Sequence, residues 1–475
     1  MTSVTPPAIK ESMLTQQLQD ALAALGLRYP KWLESAMQTP WDTQLMLNLQ
    51  ALLGFTRSTL ILDQGDSFHF WSGLYAGILS GQSIIIPPNY QAGTLMELSE
   101  TYPHAQRYSQ LTQQPDLALD KKGAQIRFDG LARTPLSAIT LTLFTSGTSD
   151  AQGRGKAIHK TVSQMCAEAV GIQQSLSHVS QHGCLFSTVP NHHLYGLTFS
   201  GFWAFQQGLS VSLKTLETPE DIAAAVKIQL QQHPAKPIIL VTTPSQLIRF
   251  PALVGAVSLQ ACQTVFTAGS PLPETTAQWL AEHHVYPQEI YGSTETGALA
   301  ARRQCESLNW QPLQGVKLNW YAETVYASTP WISDACPLAD RLLPTQADRF
   351  ILDGRADRVV KIAEKRVDLG ALEAALRQHP WVADVAMVIV MRQRLSIGAL
   401  VVLNAAGQIM QKQIKPALFG QQLRAYLTQT FDQVLTPKYW RYLTQLPYDE
   451  RGKLSTHRLQ AYFSEGDAIP MMKHE

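Results

Sequence analysis

The sequence predicts an α/β protein, with a large N-terminal domain of helix-covered β-sheets and a small α+β domain at the C-terminus. Three observations predict this. At 475 residues the chain is too long for one ordinary core. Short, almost wholly apolar runs alternate with longer helix-compatible stretches over most of its length. The rhythm then changes near residues 340–356, and the following segment carries a helix, a strand pair and a second helix of its own. The division is set at 1–355 and 356–475.

The apolar runs come in order as "STLILD" at 58–63, "SIIIPP" at 83–88, "LTLFT" at 141–145, "GCLFSTVP" at 183–190, "PIILVT" at 237–242 and "QTVFTAG" at 263–269. Runs apolar on both alternating sets of positions suit strands covered on both faces, which is the usual state of a parallel sheet. Beyond "RFILDGRADRVVKI" come "LGALEAALRQHP" as an amphipathic helix, "VADVAMVIV" and "GALVVL" as strands, and "GQQLRAYLTQTF" as a helix. From residue 356 onward there are 16 Lys plus Arg against 11 Asp plus Glu. That mild excess suits an acidic carrier or a phosphate group, or a merely solvated surface.

Composition narrows the function classes. The chain is 45% apolar with a formal net charge of +1, which gives no reason to expect a nucleic-acid partner or an anionic membrane. No apolar run has the length of a membrane span, and the N-terminus shows no basic region followed by an apolar one. Five scattered cysteines, with no CxxC pair, suit reduced thiols in a cytoplasm and not a zinc site.

The stretch "LTLFTSGTSDAQGRGKAIHK" at 141–160 stands out. It offers unblocked backbone N–H groups, short hydroxyl donors (Thr145, Ser146, Thr148) around Gly147, and mobile cations ending in Lys156, the parts for holding a polyphosphate. A solvated surface turn is the plain alternative. It is not the common loop GxxxxGK[ST], because Asp150 occupies the first glycine position and Ala157 follows the lysine.

The loop resembles the TSGTTGxPKG signature of the adenylate-forming superfamily, with two extra residues before the lysine and no proline. Further signatures follow in that superfamily's order. "YGSTETG" (291–297) is similar to its YGxTE motif, "AGSPL" (268–272) to the short turn upstream, and "PNHHLYG" (190–196) to its PxFHxxG segment. Asp340 precedes Arg355 of "GRAD" by fifteen residues, and "YDERGKLSTHRL" (448–459) resembles the final SGKxxRxxL segment. The chain is most similar to acyl-CoA synthetase and AMP-dependent acyl ligase members that act near acyl carrier proteins.

That resemblance implies ATP and Mg²⁺ as cofactors and a carboxylic acid, aromatic or acyl, as substrate. A carboxylate would attack the α-phosphorus of ATP, an anion meeting an anion, so catalysis is mostly positioning and charge neutralisation. Thr145, Ser146, Gly147, Thr148 and Lys156 would hold the β- and γ-phosphates. Thr294 would bond the α-phosphate and Glu295 would ligate the metal. Gly269 and Tyr291 would line the adenine slot, and Asp340 and Arg355 would meet the ribose. Lys453 would be the catalytic cation, Asp357 the hinge, and His193 would lie near the acid's carboxylate, with His192, Tyr195 and Thr243 along the acid pocket. Phe199, Phe202, Trp203 and Phe205 read as core.

The residues also admit plainer roles: Glu295 as the cap of a following helix, Asp340 and Arg355 as a surface pair, Lys453 as an exposed loop lysine. In "KIAEKRV" the position of a glycine that the superfamily places beside its thiol channel is Glu364. A carboxylate there motivates a non-thiol acceptor; the reaction expected from the resemblance is acid activation followed by transfer to the pantetheine thiol of an acyl carrier protein, or to coenzyme A. The alternatives are an adenylating ligase with a non-thiol acceptor and a catalytically impaired nucleotide-binding homologue.

Overall fold

A computed structural model describes residues 11–33, 38–53, 58–112, 134–145, 156–179, 182–321, 324–346, 348–355, 358–362, 365–391, 395–448, 454 and 456–463. By packing these residues form two compact units. The first takes the described residues up to 145, then 156–319 and 327–336; the second takes those of 320–326 and from 337 onward.

The first unit is built on two sheets. Its strands, in chain order, are β1 (Lys31–Trp32), β2 (Thr59–Ile61), β3 (Ser83–Ile85), β4 (Gln106–Arg107), β5 (Thr140–Phe144) and β6 (Ala157–Thr161). They continue with β7 (Cys184–Ser187), β8 (Ser210–Thr215), β9 (Ile238–Thr242), β10 (Thr264–Ala268), β11 (Gln288–Ser293), β12 (Gly297–Arg302) and β13 (Gln311–Pro312). One sheet has the order β4-β2-β3-β5-β6 and the other β1-β8-β7-β9-β10-β11-β12-β13. All six apolar runs read from the sequence are strands here. Pairing is parallel up to β5 in the first sheet and up to β11 in the second. The antiparallel partners β6, β12 and β13 are added at one edge of each.

The all-apolar character of these strands has a direct cause. Leu185, Ile239, Val241 and Phe266 enter one core with Trp41, Trp71, Phe199 and Trp203. Their immediate neighbours Cys184, Phe186, Ile238, Leu240 and Val265 enter a second core with Ile222 and Phe250. Successive side chains point to opposite faces of a strand, so a sheet covered on both faces needs apolar residues at both sets of positions. Helices such as Val162–Ser175 and Pro219–Gln232 supply the covers, and each starts with a Thr capping box, at Thr161 and Thr218.

In the second unit the strands Val382–Met391 and Leu395–Leu403 pair antiparallel, and Tyr439–Leu443 joins Leu395–Leu403 in parallel. Val385 and Met387 pack into one core with Leu372, Leu376, Phe419 and Leu423, while Ala386 and Val388 pack into another with Leu446 and Phe463. The helix Leu369–Arg377 lies where the sequence reading expects it, and Pro416–Leu427 overlaps the expected 420–431 but starts and ends four residues earlier. All five cysteines carry free thiols. Among the described residues no helix is long and apolar enough to cross a membrane.

Candidate active site

Four adjacent parallel strands, β7, β9, β10 and β11, finish along one edge of the eight-stranded sheet. Ser187 pairs with Val241, Thr242 with Thr267, and Ala268 with Ile290, so the strand ends are level. Each then delivers a segment singled out from sequence: His192, His193 and Tyr195 after β7, Thr243 after β9, Gly269 after β10, and Tyr291 through Glu295 at the end of β11. Loops that diverge from the carboxyl ends of parallel strands leave a crevice lined by backbone and polar groups, the usual ligand position in α/β sheets.

Glu295 sits in the tight turn Thr294–Thr296 that joins β11 to the antiparallel β12. The alternative in which it caps a helix is therefore excluded, because a strand follows. The turn is cross-tied. Ser293 N–H donates to Thr296 Oγ1 (3.1 Å) and Thr296 N–H to Ser293 Oγ (3.2 Å). Trp331 Nε1 donates to the Thr296 carbonyl (3.1 Å) from a fully buried indole. At the base of the hairpin Arg302 gives two bonds of 3.0 Å to the two oxygens of buried Glu289, directly opposite it, and stacks on Trp310. The result is a half-buried carboxylate, Glu295, on a rigid mount.

The glycine-rich loop hangs between two antiparallel strands. β5 pairs with β6, and Thr145 and Lys156 close the stem: Thr145 N–H donates to the Lys156 carbonyl (3.0 Å), and Lys156 N–H to Thr145 Oγ1 (2.9 Å). Lys156 is exposed. Ser146, Gly147 and Thr148 lie outside the described residues.

After β7, the His192 and His193 rings lie 4.1 Å apart, and Tyr90 meets His192 edge-on at 5.0 Å. A side chain at Gly196 would place its Cβ 2.3 Å from the Pro190 carbonyl oxygen, so this bend closes only around glycine. Tyr195 is half-buried beside Phe199, and burial pushes its phenol above the usual tyrosine range. Phe199, Phe202, Trp203 and Phe205 are core residues, as their reading from sequence has it. Thr243 is half-buried at the start of the helix Pro244–Leu247.

In the second unit Asp340 stands opposite Arg355 in the antiparallel pair Asp340–Pro344 with Phe350–Arg355. Asp357, Glu364 and Lys453 lie outside the described residues.

Two site-adjacent residues escape sequence reading. Lys160 on β6 and Glu168 on the helix Val162–Ser175 are both only 2% exposed. Lys160 Nζ donates to the Glu295 carbonyl (3.4 Å), and Glu168 Oε1 accepts from the Ala298 N–H (2.9 Å). Burial draws the Lys160 ammonium below the usual lysine range, with Glu168 opposing; burial pushes the Glu168 carboxyl up, with Lys160 opposing. A signal was present. Glu168 falls within the inward stripe Val162, Met165, Ala169 and Ile172, where a lone carboxylate is out of place without a partner.

Comparison with known proteins bears on this arrangement. The family described as "AMP-binding enzyme" matches residues 97–323, the span that holds the loop stem, the histidine segment and the Glu295 turn. Residues 97–323 thus carry that family's pattern, and the chain resembles the adenylate-forming superfamily. A 4-coumarate–CoA ligase of Rhodobacter capsulatus is 25% identical to this protein, across 64% of this chain and 73% of that one. The ATP-bound structure of MatB from Rhodopseudomonas palustris superposes with a TM-score of 0.70 at 15% identity, covering 95% of this chain and 99% of that one. The amide bond synthetase McbA from Marinactinospora thermotolerans gives the same TM-score, identity and coverage. Those two superpositions show a shared fold.

Proposed function

We propose that this protein activates a carboxylic acid with ATP. The acid's oxygen bonds to the α-phosphorus as the bond to the β-phosphate oxygen breaks, giving an acyl-adenylate and pyrophosphate. The acyl group then passes to a thiol, which releases AMP. The observation that carries this reading is Glu295, a half-buried carboxylate on a cross-tied turn at the level ends of four parallel strands, in a chain that resembles the adenylate-forming superfamily.

Roles follow from chemistry and resemblance together. Thr145 and Lys156 at the loop stem, with Ser146, Gly147 and Thr148, hold the leaving phosphates. Thr294 bonds the α-phosphate, Gly269 and Tyr291 bound the adenine, and Asp340 and Arg355 take the ribose. His193 meets the acid's carboxylate, and His192, Tyr195 and Thr243 flank its acyl part. Lys453 supplies the cation that offsets charge between the attacking carboxylate and the α-phosphate. The segment from 356 turns about Asp357 between the two half-reactions.

Magnesium fits the donor set. Among the described residues no group of three or more His, Cys, Asp or Glu side chains comes together as a metal cage. A single carboxylate such as Glu295 is what Mg²⁺ uses when phosphate oxygens and water complete its shell. When bound, the ion would neutralise charge on the phosphates; Glu295 would hold it.

The coumarate–CoA ligase relative favours coenzyme A as the acceptor, and the mildly basic C-terminal segment favours the pantetheine arm of an acidic carrier protein. A second reading, a non-thiol acceptor such as an amine, is supported by Glu364 at the usual glycine position and by the shared fold of an amide bond synthetase. Acid-dependent exchange of labelled pyrophosphate into ATP tests activation, and Lys453→Ala is expected to reduce it at least a hundredfold. Undiminished exchange in that variant would remove Lys453 from the reaction. Product analysis with coenzyme A, carrier protein and amines then separates the acceptors.

A further inference from the structure

The reaction proposed above assigns no task to the two buried charges behind the Glu295 turn. Replacing a buried Lys–Glu pair by apolar residues of similar size is commonly neutral or stabilising. Packing alone therefore does not account for Lys160 and Glu168, and their hydrogen bonds show where they act.

Three successive peptide groups of the turn are each held by a buried side chain from elsewhere in the first unit. The 295–296 peptide is held at its carbonyl by Lys160 Nζ (3.4 Å). The 296–297 peptide is held at its carbonyl by Trp331 Nε1 (3.1 Å). The 297–298 peptide is held at its N–H by Glu168 Oε1 (2.9 Å). A fixed peptide plane on the C-terminal side of residue 295 restricts its ψ, and with it the direction of the Cα–Cβ bond. The approach of Glu168 is close enough that a Cβ on Gly297 would come within 2.7 Å of Glu168 Oε2.

Lys160 also stands on the same strand as the stem of the glycine-rich loop, four residues beyond Lys156. Strand β6 thus follows directly on an exposed cation at the loop stem, Lys156, and carries a buried one under the Glu295 turn. Movement of one end is transmitted to the other along about 13 Å of extended chain.

We propose that Lys160 and Glu168 are positioning residues, which aim the Glu295 carboxylate at a magnesium–nucleotide complex and tie the turn to the phosphate-loop stem. This rests on the reading of Glu295 as the magnesium-binding residue. Neither residue touches the substrate. They act through the backbone of 295–298, so their loss is felt in metal-dependent nucleotide affinity before it is felt in the affinity for the acid.

The test uses the full-length chain and titration calorimetry with ATP, in excess Mg²⁺ and in chelator. The main variant is K160M/E168Q, which removes both charges together and so avoids stranding either one. Wild-type protein is expected to bind ATP more tightly with Mg²⁺ than without. The variant is expected to melt within a few degrees of wild type and to keep its ATP affinity in chelator within threefold. It should lose tenfold or more of the gain that Mg²⁺ brings, with the KM for the acid unchanged. A variant that retains the full magnesium-dependent gain overturns the proposal. If K160M/E168Q does not fold, K160L/E168Q is judged by the same criterion. Absence of any magnesium-dependent gain in the wild-type protein would instead count against the role of Glu295, so the two failures are told apart.

Discussion

Asp340 stands directly opposite Arg355 in an antiparallel strand pair, although fifteen residues separate them along the chain. The pairing places the half-buried Asp340 and the end of the strand Phe350–Arg355 at one level of the second unit. Two hydroxyls of a ribose are well matched by one carboxylate, which accepts at both oxygens. Asp340→Ala should raise the KM for ATP about tenfold to a hundredfold, since a hydrogen bond to a charged group is worth about 1.5–3 kcal/mol. The melting temperature should shift by no more than a few degrees. An unchanged KM for ATP would reduce Asp340 and Arg355 to the surface pair that the sequence also allows.

Gly297 offers a test of the turn that is independent of the reaction. Its φ is +72°, and a Cβ there would meet the carboxylate of buried Glu168. An L side chain in that conformation costs about 1–2 kcal/mol before any clash is counted. Gly297→Ala should therefore cost about 2–4 kcal/mol in urea unfolding. Stability equal to wild type would mean that the turn yields easily and is not the rigid mount described above.

Legibility from sequence divides along a physical line. The strands "PIILVT" and "QTVFTAG" were readable because a sheet covered on both faces demands unbroken apolar runs, and few other structures do. Glu295 and Asp340 were singled out as candidates because they lie in short signatures whose residue types the chemistry constrains. Lys160 was not. In "KAIHKT" it reads as one more polar residue in an alternating strand, and only the packing of the helix bearing Glu168 turns that position inward. The antiparallel edge strands β12 and β13 were likewise hidden, since "GALAAR" has no periodicity that separates a strand from a helix. Glu295 could be read as a helix cap for the same reason.

The last prediction concerns alkaline stability. Cys184 on β7 is fully buried, and burial pushes its thiol up to about 11 from the ordinary 9.0, against the opposing pull of Lys236. Tyr108 is also fully buried; burial pushes its phenol up to about 12, although hydrogen bonds with Ser72 and Asn48 oppose the rise. In both cases the folded chain holds its proton more tightly than the unfolded chain does. Their stability contribution is thus intact below the unfolded value and is lost as pH rises through the folded one. For Cys184 the loss runs between about pH 9 and 11 and amounts to roughly 2–3 kcal/mol; for Tyr108 it follows between about pH 10 and 12. Urea midpoints should be flat from pH 7 to 8.5 and then fall steeply. Cys184→Ala begins from a lower plateau, because a cavity opens in the core beneath β7, yet it should fall less between pH 9 and 11. Parallel curves for the variant and the wild type over that interval would show that the Cys184 thiol ionises as readily in the folded chain as in the unfolded one, and that its burial is not tight enough to exclude the charge.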